Sequence, residues 1–244
     1  MTVREHVRQK VDRLRDELRR DDVGLTARAL RVAELSLRAI RVWPAVTIGH
    51  ERFYELTCAP RQFRGLRDLG VRLARPDDAA AMSALDGTPR ARIAERFARG
   101  DLGYVAEHDR RILAHSWFHR GPAPFDEDVP LFPRWDVPAD AFWSYNAFTL
   151  PEARASGVFV KLFQTALREL LTDRGAARVR CRVKVTNVPS VMLHERLGFA
   201  TLGTLITVAI PGARLLSWQG SGGARHWVER RNGGHVMTFP PGGA

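Results

Sequence analysis

Two amphipathic helices are predicted at the start of the chain. In the first, apolar residues recur every three or four positions among arginines and aspartates: Val3, Val7, Val11, Leu14 and Leu18. A second run with helical periodicity extends from Leu25 to Val42, and Pro44 ends the pattern. This spacing favours helices that pack on the main domain or on a second copy of the chain, although a basic amphipathic helix also suits a membrane surface.

The next segment changes to shorter elements. Apolar and polar residues from Val46 to Leu56 predict an extended segment or a hairpin around Gly49. A short helix is expected from Pro60 to Leu69. After Gly70 the chain alternates regularly between strands and helices, so we place a soft domain boundary there.

Three parts are therefore predicted. Residues 1–69 form a helical N-terminal extension with a short strand segment, and residues 70–216 form the main domain. Residues 217–244 form a Gly-rich tail, in which His226 to Val228 and Val236 to Thr238 suit a hairpin.

The main domain follows the order β-α-α-β-β-β-α-β-α-β. The predicted strands are Val71 to Ala74, Tyr104 to Ala106, Ile112 to Phe118, Phe142 to Leu150, Ala177 to Val185 and Ala200 to Ile210. The predicted helices are Ala79 to Leu85, Pro89 to Gly100, Gly157 to Asp173 and Ser190 to Leu197. A Pro-rich loop extends from Gly121 to Pro138. This order predicts the α/β class, with a mixed sheet and helices on its faces.

Composition narrows the class of protein. With 45% apolar residues the 244-residue chain can bury a full core. No apolar run reaches the ~18 residues that a membrane span needs, and the start has no secretory signal pattern, so the cytoplasm is expected. The two cysteines, Cys58 and Cys181, support neither a disulfide framework nor a zinc site.

The net charge of +11 suggests an anionic partner. Of the 38 basic residues, 35 are arginine, and they are spread along the chain without a basic arm. Nucleic-acid binding is therefore not expected.

A candidate phosphate site follows the aromatic strand. Residues 149–159 read TLPEARASGVF, in which small residues lead from a strand into a helix. Free backbone amides and the helix dipole meet at such a junction and bind phosphate. An ordinary strand-to-helix turn has much the same sequence.

A second motif reads NVPSVMLHERLGF from Asn187 to Phe199. It places a polar residue at a strand exit, then a short helix that Gly198 ends. Ser190 and His194 lie four residues apart and share one helix face. His194 is either a catalytic group or a partly buried structural imidazole.

The two motifs together resemble those of the GNAT superfamily of acyl-CoA-dependent N-acyltransferases. Pro151 to Gly157 is similar to the pyrophosphate-binding segment of the family, and Asn187 to Phe199 is similar to its second signature. The element order from Val71 to Ile210 also matches. The resemblance covers about 140 residues and reaches neither end of the chain.

The resemblance implies an acyl-CoA cleft between two strands that splay apart. Backbone groups would hold pantetheine at Phe148, Thr149 and Leu150. Amides of the following segment would hold the pyrophosphate, namely those of Arg154, Ala155, Ser156, Gly157, Val158 and Phe159. Asn187 and Ser190 would line the other wall. Transfer would be direct, with no covalent enzyme intermediate.

Two departures from the family pattern concern single residues. His194 stands where the family most often has a tyrosine that acts as an acid, so it is the predicted proton donor. Phe159 replaces a small residue and is expected to alter the approach of the cofactor. For the general base Tyr145 is preferred, and the alternatives are a water chain or the side chains of Glu107, His108, His115 and His119.

The sequence therefore predicts an acetyltransferase that uses acetyl-CoA and acts on a small-molecule amine, without a metal. Arg180, Arg182 and Lys184 alternate along one strand and mildly favour an acidic acceptor. The alternatives are a longer acyl-CoA or acyl-carrier-protein donor, and a catalytically silent GNAT-like module for binding or scaffolding. A homodimer is left open.

Overall fold

A computed structural model provides the fold. The structure describes residues 47–62, 65–125, 134–210 and 213–221, with the short stretches 29–30, 32–33, 225–227, 230–231 and 234–237. The first predicted helix lies outside the described residues. Of the second, only residues 29–30 and 32–33 are described, and they are helical.

The strands and helices are numbered in chain order. The strands are β1 (Thr47–Leu56), β2 (Gly70–Leu73), β3 (Leu102–His108), β4 (Arg111–Arg120), β5 (Ala123–Phe125), β6 (Arg134–Val137), β7 (Ala141–Thr149), β8 (Arg178–Lys184), β9 (Ala200–Ile210), β10 (Ala213–Gly220), β11 (Arg225–Trp227), β12 (Arg230–Arg231) and β13 (Gly234–Met237). The helices are α1 (Ala79–Asp86), α2 (Arg90–Ala98), α3 (Val158–Thr172) and α4 (Val188–Arg196).

Among the described residues, nine strands build one mixed sheet. Their order is β11-β10-β9-β1-β8-β7-β4-β3-β2, and β12-β13-β6-β5 form a smaller sheet. Most pairs are antiparallel, whereas β7 and β8 are parallel and are joined through α3. The predicted α/β class with a mixed sheet is confirmed, as is the order of elements in the main domain.

The first strand of the chain, β1, lies in the interior of the large sheet. It runs antiparallel to both neighbours, so that Glu51 pairs with Lys184 of β8 and with Leu205 of β9. The predicted extended segment is confirmed as one strand, with Gly49 inside it rather than in a turn. A boundary between residues 69 and 70 therefore does not divide the sheet.

Helices cover both faces of the sheet because successive strand residues point to opposite sides. Trp117 packs in one apolar core and the next residue, Phe118, packs in the other. The core around Phe118 includes the buried face of α3. The opposite core includes Met82 of α1 and Ile93 of α2.

The predicted helix from Pro60 to Leu69 is wrong for its described part, residues 60–62 and 65–69. Leu66 has a φ of 55°, and a turn follows in which the Leu69 N–H donates to the Leu66 carbonyl at 3.1 Å. The Lys161 Nζ donates to the carbonyls of Leu66 and Leu69, at 2.6 and 2.7 Å. Lys161 of α3 thus donates hydrogen bonds to backbone carbonyls that would accept backbone N–H groups if this segment were helical.

The loop and the tail also differ from expectation. The Pro-rich loop from Gly121 to Pro138 contains the short pair β5 and β6. In the tail, β12 and β13 pair antiparallel on either side of residues 232–233, with Arg231 opposite Gly234, which agrees with the position of the predicted hairpin. The first predicted strand differs, because residues 226–227 belong to β11, which pairs with β10. Strand β10 was not predicted, and it extends the main sheet beyond β9.

Two absences hold within the described ranges. No helix there combines the length and the apolar character that crossing a bilayer requires. No group of three or more His, Cys, Asp and Glu side chains is arranged to hold a metal ion.

Candidate functional site

Strands β7 and β8 pair over only the first part of their length. Their register extends from Ala141 opposite Arg178 to Ser144 opposite Cys181. Beyond this point β8 continues along β1 and β7 continues along β4, but they no longer pair with each other. Ala147 is exposed although its strand lies inside the sheet. The two strands therefore leave an open wedge between their C-terminal halves.

A β-bulge in β7 coincides with the start of the wedge. Tyr145 pairs with Trp117 of β4, and the next pair along is Phe148 with His115, so two residues of β7 lie opposite one residue of β4. Asn146, inside the bulge, has a φ of 42°. Asparagine is among the residues that tolerate this left-handed conformation. Because a bulge bends its strand, it turns β7 away from β8.

One backbone donor at the end of β7 faces the wedge. The Leu150 N–H donates to the Leu113 carbonyl of β4 at 2.9 Å, so it points away from the wedge. Since N–H directions alternate along the regular part of the strand after the bulge, Phe148 shares that direction, whereas Thr149 points its amide into the wedge. Of the three predicted pantetheine contacts, only Thr149 has the required direction.

The loop between β7 and α3 leaves a run of backbone amides unpaired. After a short 3-10 helix at Pro151–Ala153, Ala155 and Gly157 have φ values of 59° and 88°. The N–H groups from Ala155 to Val160 make no close, well-aligned hydrogen bond within the described residues, although residues 154–157 form a turn. Unpaired amides at a helix N-terminus, with the positive end of the helix dipole, form an anion site.

The Arg154 side chain connects the loop before α3 to the end of β7. Its Nε donates to the Thr149 carbonyl at 3.2 Å. Its own backbone N–H donates to the Pro151 carbonyl at 3.3 Å. The series of free amides therefore begins at Ala155, one residue after the predicted start at Arg154.

The Phe159 side chain packs along α3. Its ring is half-buried and stacks on Phe163, with centroids 5.2 Å apart and planes 17° apart. Phe163 belongs to the core beneath α3. The ring that was expected to alter the approach of a cofactor thus packs against the core, while the backbone amide of Phe159 stays in the unpaired series.

No protein-family model matches this sequence, and no curated protein matches it. Solved structures do match. The GCN5-related N-acetyltransferase from Kribbella flavida superposes with a TM-score of 0.50 at 13% identity, covering 75% of this chain and 64% of that one. The chain has the GNAT fold. The family resemblance of the two motifs is thereby confirmed at the level of fold.

Two further structures superpose less closely. An acetyltransferase of the GNAT family from Colwellia psychrerythraea has a TM-score of 0.46 at 14% identity, covering 71% of this chain and 59% of that one. AAC(6′)-Iy, solved with a bisubstrate analogue of CoA, has a TM-score of 0.42 at 17% identity, covering 54% and 90%. The present chain spans less than two thirds of the Kribbella and Colwellia proteins.

In this GNAT fold, Asn187 and Ser190 belong to the start of α4. The Asn187 side chain caps the helix, because its Oδ1 accepts the Ser190 N–H at 3.4 Å. The Ser190 carbonyl and hydroxyl lie 2.7 and 3.5 Å from Nδ1 of His194. Both residues therefore have structural partners within α4, and their predicted place in a cofactor wall stays a prediction.

His194 is buried among aromatic rings and is only 5% exposed. Its ring stacks on Tyr54 at 5.5 Å, and Phe163 and Phe199 lie 5.3 and 5.0 Å away. Burial lowers the pKa of His194, and the Ser190 carbonyl only partly opposes this. The imidazole is therefore neutral near pH 7, with Nδ1–H donating to that carbonyl. This state does not suit the predicted role of proton donor.

Tyr145 is a hydrogen-bond donor in a buried network. Its hydroxyl donates to Asp101, and Nη2 of Arg99 lies 3.3 Å from the same hydroxyl. Burial and the Asp101 carboxylate raise the pKa of Tyr145 far above its usual value. A phenol that holds its proton this firmly cannot accept another, so the structure argues against Tyr145 as the general base.

We expect the change Tyr145→Phe to lower the free energy of unfolding by about 1–3 kcal/mol, because the buried Asp101 loses a donor. Urea denaturation measures this loss. The pH–rate profile should keep its shape, since the phenol does not titrate in the working range. A shifted profile with unchanged stability would return Tyr145 to the proton path.

The other candidates for a base also have partners. His115 Nε2 lies 3.1 Å from Asp86, and His119 Nδ1 lies 2.7 Å from Asp101, with all four side chains buried. Glu107 accepts two hydrogen bonds from Arg72, and His108 is the exposed last residue of β3. None of these contacts singles out a base.

The basic residues of β8 are neutralised by β1. Arg180 Nε donates to Glu55 at 2.6 Å, and Arg182 Nη1 donates to Glu51 at 2.7 Å. Arg180 is buried, and only Lys184 is exposed. Two of the three predicted cations, Arg180 and Arg182, thus belong to an ion-pair ladder with β1, and the acidic acceptor stays a prediction that these two ion pairs do not support.

Proposed function

We propose that this protein is an acyl-CoA-dependent N-acyltransferase that transfers an acetyl group from acetyl-CoA to a primary amine of a small molecule. One observation carries the proposal: the wedge between β7 and β8 lies next to the loop with unpaired amides from Ala155 to Val160. CoA joins a slender amide-containing arm to a pyrophosphate. The site has two matching parts next to each other, a slot beside an exposed strand edge for the arm and an anion site for the pyrophosphate.

The two ends of acetyl-CoA fit different parts of the site. The amides from Ala155 to Val160 would bind the pyrophosphate, aided by the dipole of α3 and by the positive net charge. The amide-containing arm would lie along β7 and meet the wedge-facing backbone groups of Thr149. The acyl carbonyl would then lie near the bulge.

The chemistry needs little from side chains. A deprotonated amine attacks the thioester carbonyl, the new C–N bond forms, and the C–S bond breaks to release the thiolate. Amide donors of β7 would stabilise charge on the carbonyl oxygen. Since His194 is neutral, its Nε2 is suited to accept a proton rather than to donate one, and solvent is the remaining proton donor for the thiolate.

A second candidate function is a silent GNAT-like module that binds a ligand without catalysis. The burial of His194 favours it, because the position from which the family supplies a proton holds a neutral imidazole. Fold alone does not distinguish the two functions. A donor with a longer acyl chain would use the same loop.

We expect isothermal titration with acetyl-CoA to show binding by the wild-type protein. Acetyl-CoA should also raise the temperature at which the protein unfolds. The variant Gly157→Val should bind at least about tenfold more weakly. Valine at a φ of 88° strains the loop by about 1–2 kcal/mol and redirects its amides. Slow hydrolysis or transfer of the acetyl group would identify an enzyme, whereas binding without turnover would identify the silent module.

Gly175→Val is the matched control. Gly175 has a φ of 68° beyond the other end of α3, with open space where a Cβ would lie. The variant Gly175→Val should lose about as much stability as Gly157→Val but keep its affinity for acetyl-CoA. Equal losses of affinity in both variants would mean that Gly157→Val acts through lost stability and not through the loop amides. If the wild-type protein gives no heat of binding and no thermal shift at roughly millimolar acetyl-CoA, the proposed function is wrong.

A further inference from the structure

Arg96 is a buried cation beside the proposed site. Helix α2 carries it into the core opposite α3, where it is only 6% exposed. Its guanidinium carbon lies 5.3 Å from the centroid of the Trp117 ring and 5.1 Å from that of the Tyr145 ring. Burying a charge is costly unless its contacts replace the lost hydration. These contacts therefore hold the guanidinium at one place.

One hydrogen bond of Arg96 reaches the bulge. Nη1 donates to Oδ1 of Asn146 at 2.8 Å. Asn146 is the bulge residue with left-handed backbone, and it lies three residues before Thr149, whose amide faces the wedge. A bond to a charged donor is among the stronger ones in proteins. The left-handed residue is thus tied to α2 through its side chain.

The residue before the bulge is anchored from the same side. The hydroxyl of Tyr145 donates to Asp101, which follows α2 in the chain, and its ring lies against Arg96. Beyond Asn146, β7 pairs with β4, and none of the other described strands pairs with its wedge side. The direction of the free edge therefore depends on how these two residues are held.

We propose that Arg96 and Asn146 form a positioning pair for acyl transfer. The pair touches no substrate atom. It orients the amide of Thr149 toward the thioester end of the donor. The inference rests on the proposed function and concerns only one end of the ligand, because the amides for the pyrophosphate lie in a separate loop. Loss of the pair would misplace the thioester while the nucleotide end stays bound.

Nuclear magnetic resonance of bound acetyl-CoA, labelled with carbon-13 at the acetyl carbonyl, tests both ends at once. In the wild-type protein the carbonyl and the pyrophosphate phosphorus resonances should both shift on binding. In Arg96→Met and in Asn146→Gly the phosphorus shift should persist, and the carbonyl shift should fall by more than half. With an accepted amine, kcat should drop about tenfold or more and the KM for acetyl-CoA less than about threefold. Arg96→Lys should restore part of the carbonyl shift.

Arg90→Met is the matched control, since Arg90 is an exposed arginine on the same helix. It should leave both resonances as in the wild type. If Arg96→Met fails to fold, Asn146→Gly carries the test, because glycine accepts the left-handed backbone. A carbonyl shift retained in Asn146→Gly overturns the positioning role. No phosphorus shift in the wild-type protein contradicts the proposed function itself, and this inference with it.

Discussion

Ser156→Asp is expected to weaken acetyl-CoA binding about 100-fold while leaving the fold slightly more stable than that of the variant Ser156→Asn. Ser156 is exposed in the loop of unpaired amides, just before α3. A carboxylate there would face the bound pyrophosphate, and two like charges 4 Å apart repel by about 4 kcal/mol at an effective dielectric constant of 20. The same carboxylate favours the positive end of the helix dipole by about 0.3–1 kcal/mol. Relative to Ser156→Asn, the affinity measured by titration calorimetry should therefore fall, while the free energy of unfolding measured by urea denaturation should rise.

Ser156→Asn isolates the charge in this experiment. Both variants lose the hydrogen bond from Ser156 Oγ to the Ala153 carbonyl, which is 2.7 Å long. Only the aspartate adds a negative charge, so the asparagine variant should keep its affinity within about threefold. Raising the salt concentration should narrow the gap between the two variants. Equal affinities at low salt would mean that no anion binds at this helix terminus.

The parts of the fold that local patterns determine are predictable from the sequence. Strand alternation and helical periodicity are properties of neighbouring residues, and the predicted order from Val71 to Ile210 agrees with the structure. The loop from Thr149 to Phe159 is equally local, since a strand, small residues and a helix follow each other directly. Its unpaired amides, from Ala155 to Val160, are displaced by one residue from the predicted series, Arg154 to Phe159.

The parts that depend on distant strands are not predictable in this way. Glu51 and Arg182 are 131 residues apart in the chain and form an ion pair only because β1 inserts beside β8. Without that pairing the basic residues of β8 look like an open surface. The surroundings of His194 are non-local for the same reason, because Tyr54, the ring that stacks on it, also belongs to β1.

The bulge is the third feature that the sequence conceals. No glycine or proline stands at Asn146 to mark a break in the strand. A regular strand would give Phe148 and Thr149 other facing directions, and one extra residue changes the register of everything after it. The directions of the β7 amides after the bulge become visible only in the paired structure.

Phe163→Ala is expected to lower the free energy of unfolding by about 3–5 kcal/mol, the range for removing a buried aromatic ring. Phe163 is 1% exposed. Its ring lies within 6.1 Å of four others, those of Phe118, Phe159, His194 and Phe199. The cavity would lie between α3 and the sheet, where several rings lose a neighbour at once.

Phe159→Ala removes a ring of the same size from the half-buried end of this stack. Its loss should be about 1 kcal/mol, roughly half the value of full burial. Chemical denaturation compares the two variants. If Phe163→Ala costs no more than Phe159→Ala, the core beneath α3 does not hold the helix on the sheet. Because that helix carries the anion site at its N-terminus, a loosened α3 should also weaken acetyl-CoA binding in Phe163→Ala, which ties the stability of the core to the affinity of the loop.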